Sequence, residues 1–344
     1  MIENGMGNLL KADAEALVNT VNLVGYMGKG IALQFKQAFP ENFLAYQKAI
    51  RRGEIGPRRV FTFATDRLTN PKYIINFPTK RHWRGKARIE DIVGGLESLV
   101  AEVIRLGIHS IAVPPLGCGN GGLNWREVEP LIRTAFAQVP EVRAIVFPPV
   151  GAPLADSMPV ATTRPKMTVA RALLIKLMEQ YGELQYRLTL LEIQKLAYLL
   201  QEAGEPLRLN YEAALYGPYA HNLNKVLERI EGHFIRGYGD SQKPDTEITL
   251  LQEAVLEADS YLTGRDTSTA RLRKVGKLIE GFETPYGMEL LASVHWVSQR
   301  AESPASSPDQ AFERIHGWND RKRQMVRENH VRVAWNQLKA EGWI

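Results

Sequence analysis

The chain has 344 residues, of which 44% are hydrophobic and 24% charged. This composition fills ordinary cores and excludes wholesale disorder, and the length favours two domains over one. The only cysteine, Cys118, excludes an internal disulfide framework and a cysteine-rich zinc site. The net charge of +5 is uneven: residues 1–150 hold 19 Lys and Arg against 13 Asp and Glu, whereas the remainder holds 24 against 25. The first part therefore suits a polyanionic partner.

Membrane attachment and metal binding are not indicated. No apolar run approaches the roughly 18 residues of a membrane span, and the N-terminus lacks a basic stretch followed by an apolar one. The seven histidines are scattered without metal-ligand spacing. We therefore expect a cytoplasmic protein without a metal or other cofactor.

Strand-like and helix-like patterns alternate through residues 1–150. Strands are predicted at 16–21, 60–64, 73–77, 110–113 and 142–147, and helices at 31–39, 42–51, 89–106 and 127–137. The helix at 89–106 has the clearest apolar stripe, which includes Ile92, Leu96 and Leu99. Such alternation predicts a three-layer α/β/α domain around a parallel or mixed sheet.

The rest of the chain is predicted to be a linker and a mainly α-helical domain. Residues 151–166 are rich in Pro, Ala, Thr and Ser and lack periodicity, as linkers do. In the second domain, 167–344, the patterns predict helices at 170–181, 188–202, 222–231, 247–261, 267–281, 285–300 and 321–341. Loops are expected at 237–244 and 303–308.

Two glycine-rich loops each follow a predicted strand, the first at 25–32 and the second at 117–123. Glycine lets backbone N–H groups turn toward one point and lets an anion approach closely. A helix that begins after such a loop adds unpaired N–H groups and its positive dipole end. Two such loops facing one cleft suit a diphosphate, so the sequence predicts a nucleotide-like ligand.

Three ordered motifs carry a resemblance to a known family. Asn-Thr-Val-Asn at 19–22, Met-Gly-Lys-Gly-Ile-Ala-Leu-Gln-Phe-Lys at 27–36 and Gly-Cys-Gly-Asn-Gly-Gly-Leu-Asn-Trp at 117–125 resemble macrodomain motifs. The subgroup is that of terminal ADP-ribose glycohydrolase and the DarG antitoxin family. The resemblance covers about residues 1–150 and implies an ADP-ribose pocket and removal of ADP-ribose from a modified target.

The two-domain layout is similar to the DarG family in particular. There the partner toxin, DarT, attaches ADP-ribose to thymine in single-stranded DNA. The resemblance thus implies ADP-ribosylated single-stranded DNA as substrate and a second domain that binds the toxin. In that second domain the buried-looking helix face of Leu191, Lys195, Tyr198 and Leu199 is interpreted as core rather than interface.

The resemblance also implies ligand contacts, position by position. Asn8 and Leu9 would lie near the adenine, Asn22 near the distal ribose, and the two glycine loops on either side of the diphosphate. The full set expected to bind ADP-ribose is Asn8, Leu9, Asn19, Asn22, Gly28, Lys29, Gly30, Ile31, Ala32, Thr79, Gly117, Cys118, Gly119, Asn120, Gly121, Gly122 and Leu123. Two departures matter: most macrodomains carry Asp where this chain has Asn8, and the protein-directed glycohydrolase carries an acidic residue where this chain has Gly121.

Lys80 is the predicted catalytic residue, since it follows a predicted strand and matches the lysine of the related glycohydrolases. A neutral amine can attack the anomeric carbon, or the opened aldehyde, and form a Schiff base. A protonated one can instead donate to the departing thymine. The first role requires a lowered pKa, for which Arg81, Arg84 and Lys86 are candidate neighbouring cations.

The segment 80–88 contains five Lys and Arg residues with two aromatic rings among them. Single-stranded nucleic acid is held by phosphate neutralisation and by bases stacked on aromatic rings. Arg81, His82, Trp83, Arg84 and Lys86 are therefore predicted to bind DNA. The alternative is a solvated basic loop that leads into the following helix.

Two other functions are compatible with these sequence features. A fold alone does not establish activity, so a non-catalytic reader of ADP-ribose is one alternative. A glycohydrolase for ADP-ribose on acidic protein side chains is another. Cys118 lacks a matching His–Asp pattern and is interpreted as a small loop residue.

Overall fold

A computed structural model describes residues 1–149, 158–182, 188–239 and 244–344. The chain divides into two compact units, formed mainly by residues 1–163 and 164–344. Residues 151–157 of the predicted linker and 240–243 of a predicted loop lie outside the described ranges.

The first unit is organised around a six-stranded sheet. Its strands are β1 (Ile2–Asn4), β2 (Ala16–Asn22), β3 (Phe61–Ala64), β4 (Tyr73–Lys80), β5 (Ser110–Val113) and β6 (Arg143–Val146). The spatial order is β1-β6-β5-β2-β4-β3. All neighbours are parallel except β3, which is antiparallel to β4. The carboxyl ends of β4, β2 and β5 therefore meet side by side at one edge.

Helices cover both faces of this sheet. They are α1 (Gly30–Ala38), α2 (Pro40–Arg51), α3 (Ile89–Leu106) and α4 (Trp125–Phe136), with a 3-10 turn at Leu9–Lys11. Because side chains alternate along a strand, Val18 packs in one core with α3 and α4, whereas its neighbour Leu17 packs in another with Phe35 of α1. The predicted three-layer α/β/α architecture with a mixed sheet is confirmed.

The second unit is mainly α-helical, as predicted. Its elements are α5 (Val169–Gly182), α6 (Leu190–Glu202), β7 (Tyr211–Ala214), β8 (Gly217–Ala220), α7 (Leu223–Ile230), β9 (Ile235–Arg236), β10 (Thr249–Leu250), α8 (Gln252–Leu262), α9 (Asp266–Ile279), α10 (Pro285–Gln299), α11 (Pro308–Trp318), α12 (Asp320–Met325) and α13 (Glu328–Ala340). All four residues of the α6 face singled out above, Leu191, Lys195, Tyr198 and Leu199, are buried.

Two predicted helices differ from the structure. The helix predicted at 321–341 is two helices, since Val326 takes an extended conformation between them and buries its side chain. The helix predicted at 247–261 begins only at Gln252, because Thr249 and Leu250 pair with β9 as a strand. The short strands β1 and β7–β10 and helix α11 were not predicted.

Candidate functional site

The predicted site residues gather at the edge where β4, β2 and β5 end. Asn22 at the end of β2 is the register partner of Lys80 at the end of β4. The N–H of Leu23 donates to the Lys80 carbonyl over 3.0 Å, so the first glycine loop leaves the sheet beside Lys80. The second glycine loop leaves the neighbouring strand β5. Both loops and the lysine thus occupy adjacent positions.

The side chain of Asn22 organises the first loop. Its Oδ1 accepts from the N–H groups of Val24 and Tyr26 over 3.2 and 3.3 Å, and its Nδ2 donates to the Tyr26 carbonyl over 2.6 Å. The buried Tyr46 hydroxyl donates to the Asn22 carbonyl over 3.1 Å. Beyond this turn, Gly28 and Lys29 lead directly into α1, where Gly30, Ile31 and Ala32 form the first turn.

The second loop is closed by its own backbone. The N–H of Leu123 donates to the Gly117 carbonyl over 3.0 Å, and that of Gly122 to the Gly119 carbonyl over 3.1 Å. A Cβ placed on Gly121 would lie 2.3 Å from the Gly117 carbonyl oxygen, so this position has no room for any side chain. The acidic residue of the protein-directed glycohydrolases therefore cannot be accommodated here without moving the loop.

The two glycine loops approach each other closely. A Cβ on Gly30 would lie 3.1 Å from the side-chain Nδ2 of Asn120. The segment after Lys80 also reaches the second loop, since the N–H of Ala87 donates to the Gly121 carbonyl over 3.0 Å. The two glycine loops and the segment after Lys80 thus converge. Backbone N–H groups at a helix start and in glycine-rich loops commonly bind anions, so this region is suited to an anionic ligand.

Lys80 is half-buried, and its Nζ donates to the Trp83 carbonyl over 3.4 Å. The pKa of Lys80 is lowered, first by burial and then by the positive charge of Lys29. Burial disfavours the charged ammonium form, and a nearby like charge disfavours it further. The site therefore favours a neutral amine more than an exposed position would. Beside it, Thr79 is buried, with its Oγ1 3.4 Å from the Val21 carbonyl to which it donates.

The cation that lowers the pKa of Lys80 is not one of those expected from the sequence. Arg81 donates from Nε and Nη2 to both carboxylate oxygens of Asp91, each over 3.1 Å. Asp91 is buried at the start of α3, and the Arg81 hydrogen bond is the main reason why its pKa is lowered. Arg81 thus anchors the segment after Lys80 to α3.

Two further residues of the segment after Lys80, His82 and Arg84, contact the ring of Trp83. The guanidinium carbon of Arg84 lies 4.5 Å from the Trp83 ring centre, and the His82 ring is 5.5 Å from it at 27°. The His82 Nδ1 also accepts from the Arg84 N–H over 3.2 Å. Lys86 is exposed. The predicted DNA-binding residues are therefore next to Lys80, with Arg81 held by a carboxylate.

Asn19 belongs to a buried amide network. It is fully buried, and its Nδ2 donates to the Oδ1 of Asn76 over 2.9 Å. Asn76 in turn donates to Asn42 over 2.7 Å. Asn19 Oδ1 is a buried acceptor without a protein partner in the described ranges. A ligand role for Asn19 stays a prediction, and its observed contacts are structural.

Asn8 and Leu9 follow β1. The carboxyl end of β1 lies at the same edge of the sheet as those of β4, β2 and β5. Asn8 caps the 3-10 turn, with its Oδ1 accepting from the Leu10 N–H over 3.0 Å. Leu9 is buried in the core cluster that also contains Phe35 of α1. Their proximity to α1 is compatible with the adenine contact implied by the resemblance, which stays a prediction.

Cys118 is half-buried, and burial raises the pKa of its thiol to about 11. A thiol with a raised pKa holds little of the reactive thiolate at neutral pH. Its loop position and chemistry agree with a small packing residue.

Sequence reasoning did not identify Tyr26, Asn76 or Asp91. Tyr26 in the first loop lies against Trp83, with ring centres 6.1 Å apart. Asn76 was recognisable as a polar residue inside an apolar strand, and Asp91 as an acid in the first turn of the clearest helix. Nothing in the linear pattern indicated which residues they contact.

Within the described ranges, no helix is long and apolar enough to cross a membrane. In the same ranges, His, Cys, Asp and Glu side chains form no group of three or more that could hold a metal ion.

Comparisons with known proteins identify the family of this chain. A family model for the macro domain matches residues 18–132. A DNA ADP-ribosyl glycohydrolase of Thermus aquaticus is 46% identical over 336 residues, which cover 98% of this chain and 92% of that protein. A DNA ADP-ribosyl transferase–DNA ADP-ribosyl glycohydrolase fusion protein of Thermosipho africanus is 33% identical over 141 residues, 37% of this chain and 36% of that protein.

Among solved structures, the macrodomain of Mycobacterium tuberculosis DarG is 55% identical, with a TM-score of 0.43 over 43% of this chain and 98% of that chain. The near full-length match to the Thermus aquaticus protein is decisive for the family. The chain belongs to the DNA ADP-ribosyl glycohydrolase family, a family of hydrolases, and carries a macro domain.

Proposed function

We propose that this protein hydrolyses the N-glycosidic bond between ADP-ribose and thymidine in single-stranded DNA, with Lys80 as the catalytic residue. The observation that carries the proposal is the position of the Lys80 amine, half-buried, with a lowered pKa, at the strand end from which the first glycine loop departs. The near full-length likeness to a DNA ADP-ribosyl glycohydrolase supports the same substrate.

In this proposal the diphosphate of ADP-ribose lies between the two glycine loops. The N–H of Gly30 already donates to the Gly239 carbonyl, so the backbone N–H groups come from Ile31 and Ala32 in the first turn of α1, together with the positive end of the helix dipole. Lys29 supplies a positive charge next to this turn, and Asn120 of the second loop faces Gly30. Such a grip would direct the distal ribose toward Lys80.

The proposed chemistry begins with the neutral Lys80 amine. Its nitrogen forms a bond to the anomeric carbon while the bond from that carbon to thymine breaks, and the electron pair leaves with the thymine nitrogen. The proton released from the amine passes to the departing base. Opening of the ribose ring then gives a Schiff base, with the second amine proton passing to the ring oxygen. Addition of water releases ADP-ribose and restores Lys80.

We further propose that the protein is an antitoxin that reverses the modification made by a DarT-type transferase and binds that enzyme through its helical unit. The fusion relative joins a DNA ADP-ribosyl transferase and a glycohydrolase in one chain, which supports such a pairing. The positive charge of residues 1–150 supports contact of that part with DNA.

Three substrates offered to the full-length protein test this function. They are an ADP-ribosylated single-stranded oligonucleotide, a peptide carrying ADP-ribose on glutamate, and free ADP-ribose as a binding ligand. We expect release of ADP-ribose from the oligonucleotide. Release from the peptide alone would identify a protein-directed glycohydrolase, and binding of ADP-ribose without any release would identify a reader; either result contradicts the proposal.

A further inference from the structure

One aromatic side chain of the first glycine loop has no role in the proposed chemistry. Tyr26 is 37% exposed, so part of its side chain faces solvent. Its ring packs directly against Gly28, since a Cβ on Gly28 would lie only 2.3 Å from two ring carbons. The ring therefore rests on the loop and is not a freely rotating surface group.

A second contact fixes this ring in place. The Trp83 ring lies 6.1 Å from that of Tyr26, centre to centre, at 53°. Trp83 is itself engaged by Arg84 at 4.5 Å and by His82 at 5.5 Å. Arg84 and His82 therefore leave little of the Trp83 ring accessible to a ligand. Tyr26 keeps part of its ring exposed, and this ring packs on Gly28 and against Trp83.

The surroundings of Tyr26 suit a polyanionic strand with bases. Lys29 follows in the same loop, and Arg84 and Lys86 are exposed on the adjoining segment. The buried carboxylate of Asp91 at the start of α3 is already paired with Arg81 and Arg58. Backbone-neutralising cations around an exposed ring are the arrangement by which proteins hold single-stranded nucleic acid.

We propose that Tyr26 presents the surface on which a nucleobase flanking the modified thymine stacks, and that Trp83 positions Tyr26. The proposal rests on the proposed function and specifies how its DNA substrate is recognised. Trp83 connects this ring to the reaction site, because the Trp83 carbonyl accepts from Lys80 Nζ over 3.4 Å. A base stacked on Tyr26 would thereby hold the next nucleotide near the amine.

The test compares Tyr26→Ala, Tyr26→Phe and Val24→Ala in the full-length protein. Val24, just before this loop, is an exposed apolar residue without a ring, and its truncation controls for loop perturbation. The substrates are an ADP-ribosylated oligonucleotide and ADP-ribosylated thymidine as a single nucleoside. Free ADP-ribose binding and thermal melting check that each variant keeps its fold and its diphosphate grip.

We expect Tyr26→Ala to raise KM for the oligonucleotide by roughly 5- to 150-fold, the range for one lost stacked base, with kcat little changed. The same variant should act on the single nucleoside like the wild type, and Tyr26→Phe and Val24→Ala should resemble the wild type on both. Wild-type behaviour of Tyr26→Ala on the oligonucleotide, or an equal loss on the nucleoside, would overturn the proposal.

A binding measurement separates this proposal from the proposed function. Fluorescence anisotropy with an unmodified single-stranded oligonucleotide needs no turnover. A wild-type protein that releases no ADP-ribose would refute the proposed function, whereas weaker oligonucleotide binding by Tyr26→Ala alone would still support the stacking surface. Equal binding of this oligonucleotide by wild type and Tyr26→Ala would overturn the stacking proposal.

Discussion

Two features of the Lys80 environment favour the neutral amine that a nucleophilic lysine needs. An exposed lysine is almost entirely protonated, and a protonated amine has no electron pair to donate. Partial burial and the charge of Lys29 both lower the pKa of Lys80. If the neutral amine reacts, kcat/KM must rise with pH through this pKa, whereas a protonated Lys80 acting as an acid would make it fall.

Lys29→Gln tests this electrostatic coupling. The substitution removes a like charge, so the pKa of Lys80 should rise and the midpoint of the kcat/KM profile should move to higher pH. Weaker diphosphate binding would lower kcat/KM at every pH without moving the midpoint. Lys48→Gln, at an exposed position of α2, should leave the profile unchanged. An unmoved or lowered midpoint in Lys29→Gln would contradict the coupling.

Individual contacts were the least predictable feature of the site. Arg81 adjoins Lys80 in the chain, yet it pairs with Asp91, and Lys29 from another element supplies the charge. Asn19 and Asn76 occupy equivalent points of adjacent parallel strands, where they bond each other. The residue types were recognisable from the sequence, but these partners depend on which strands are neighbours.

At the level of elements, the sequence predicted the helices and strands that have long periodic or uniformly apolar runs. Helix α3 and strand β5 have the predicted bounds. Strand β4 continues past the predicted residue 77 to Lys80, because pairing with β2 extends it through Pro78. Strands of two or three residues, such as β1 and β9, depend on pairing with other segments and have too little periodicity to be recognised.

The second glycine loop offers a matched pair of substitutions. At Gly121 a Cβ would meet the Gly117 carbonyl at 2.3 Å, whereas at Gly119 nothing lies within 4 Å. Gly121→Ala should therefore displace the loop at a cost of about 1–3 kcal/mol, which weakens ADP-ribose binding by up to roughly 150-fold. Gly119→Ala should bind as the wild type does.

Isothermal titration calorimetry with ADP-ribose measures both affinities. Wild-type affinity in Gly121→Ala would show that this loop does not grip the ligand. A large loss in Gly119→Ala would show that the ligand approaches that position too closely for a methyl group.

At the scale of the whole molecule, the strand and helix patterns correctly predicted an α/β part followed by a mainly helical part. The interior of the helical unit was not predictable. Lys322 is fully buried, with its Nζ 2.8 Å from Glu289 and 2.9 Å from Ser293. Sequence rules place lysine at the surface, and only the packing of α10 against later helices supplies such partners.

A single variant should separate the proposed hydrolysis from the proposed binding of the transferase. Lys80→Ala changes the active site and leaves the helical unit intact, so the full-length variant should lose hydrolysis and still bind the cognate transferase. Co-purification of the transferase with wild type and with Lys80→Ala measures this. Failure of both proteins to retain it would contradict direct toxin binding.

Release of ADP-ribose from an ADP-ribosylated single-stranded oligonucleotide by Lys80→Ala is the most direct measurement of the central claim. Lys48→Ala, which removes an exposed lysine of α2, is the matched control. We predict that Lys80→Ala lowers the release rate by about 100-fold or more, the scale of a lost catalytic group, while Lys48→Ala keeps the wild-type rate. Equal rates for wild type and Lys80→Ala would contradict the account.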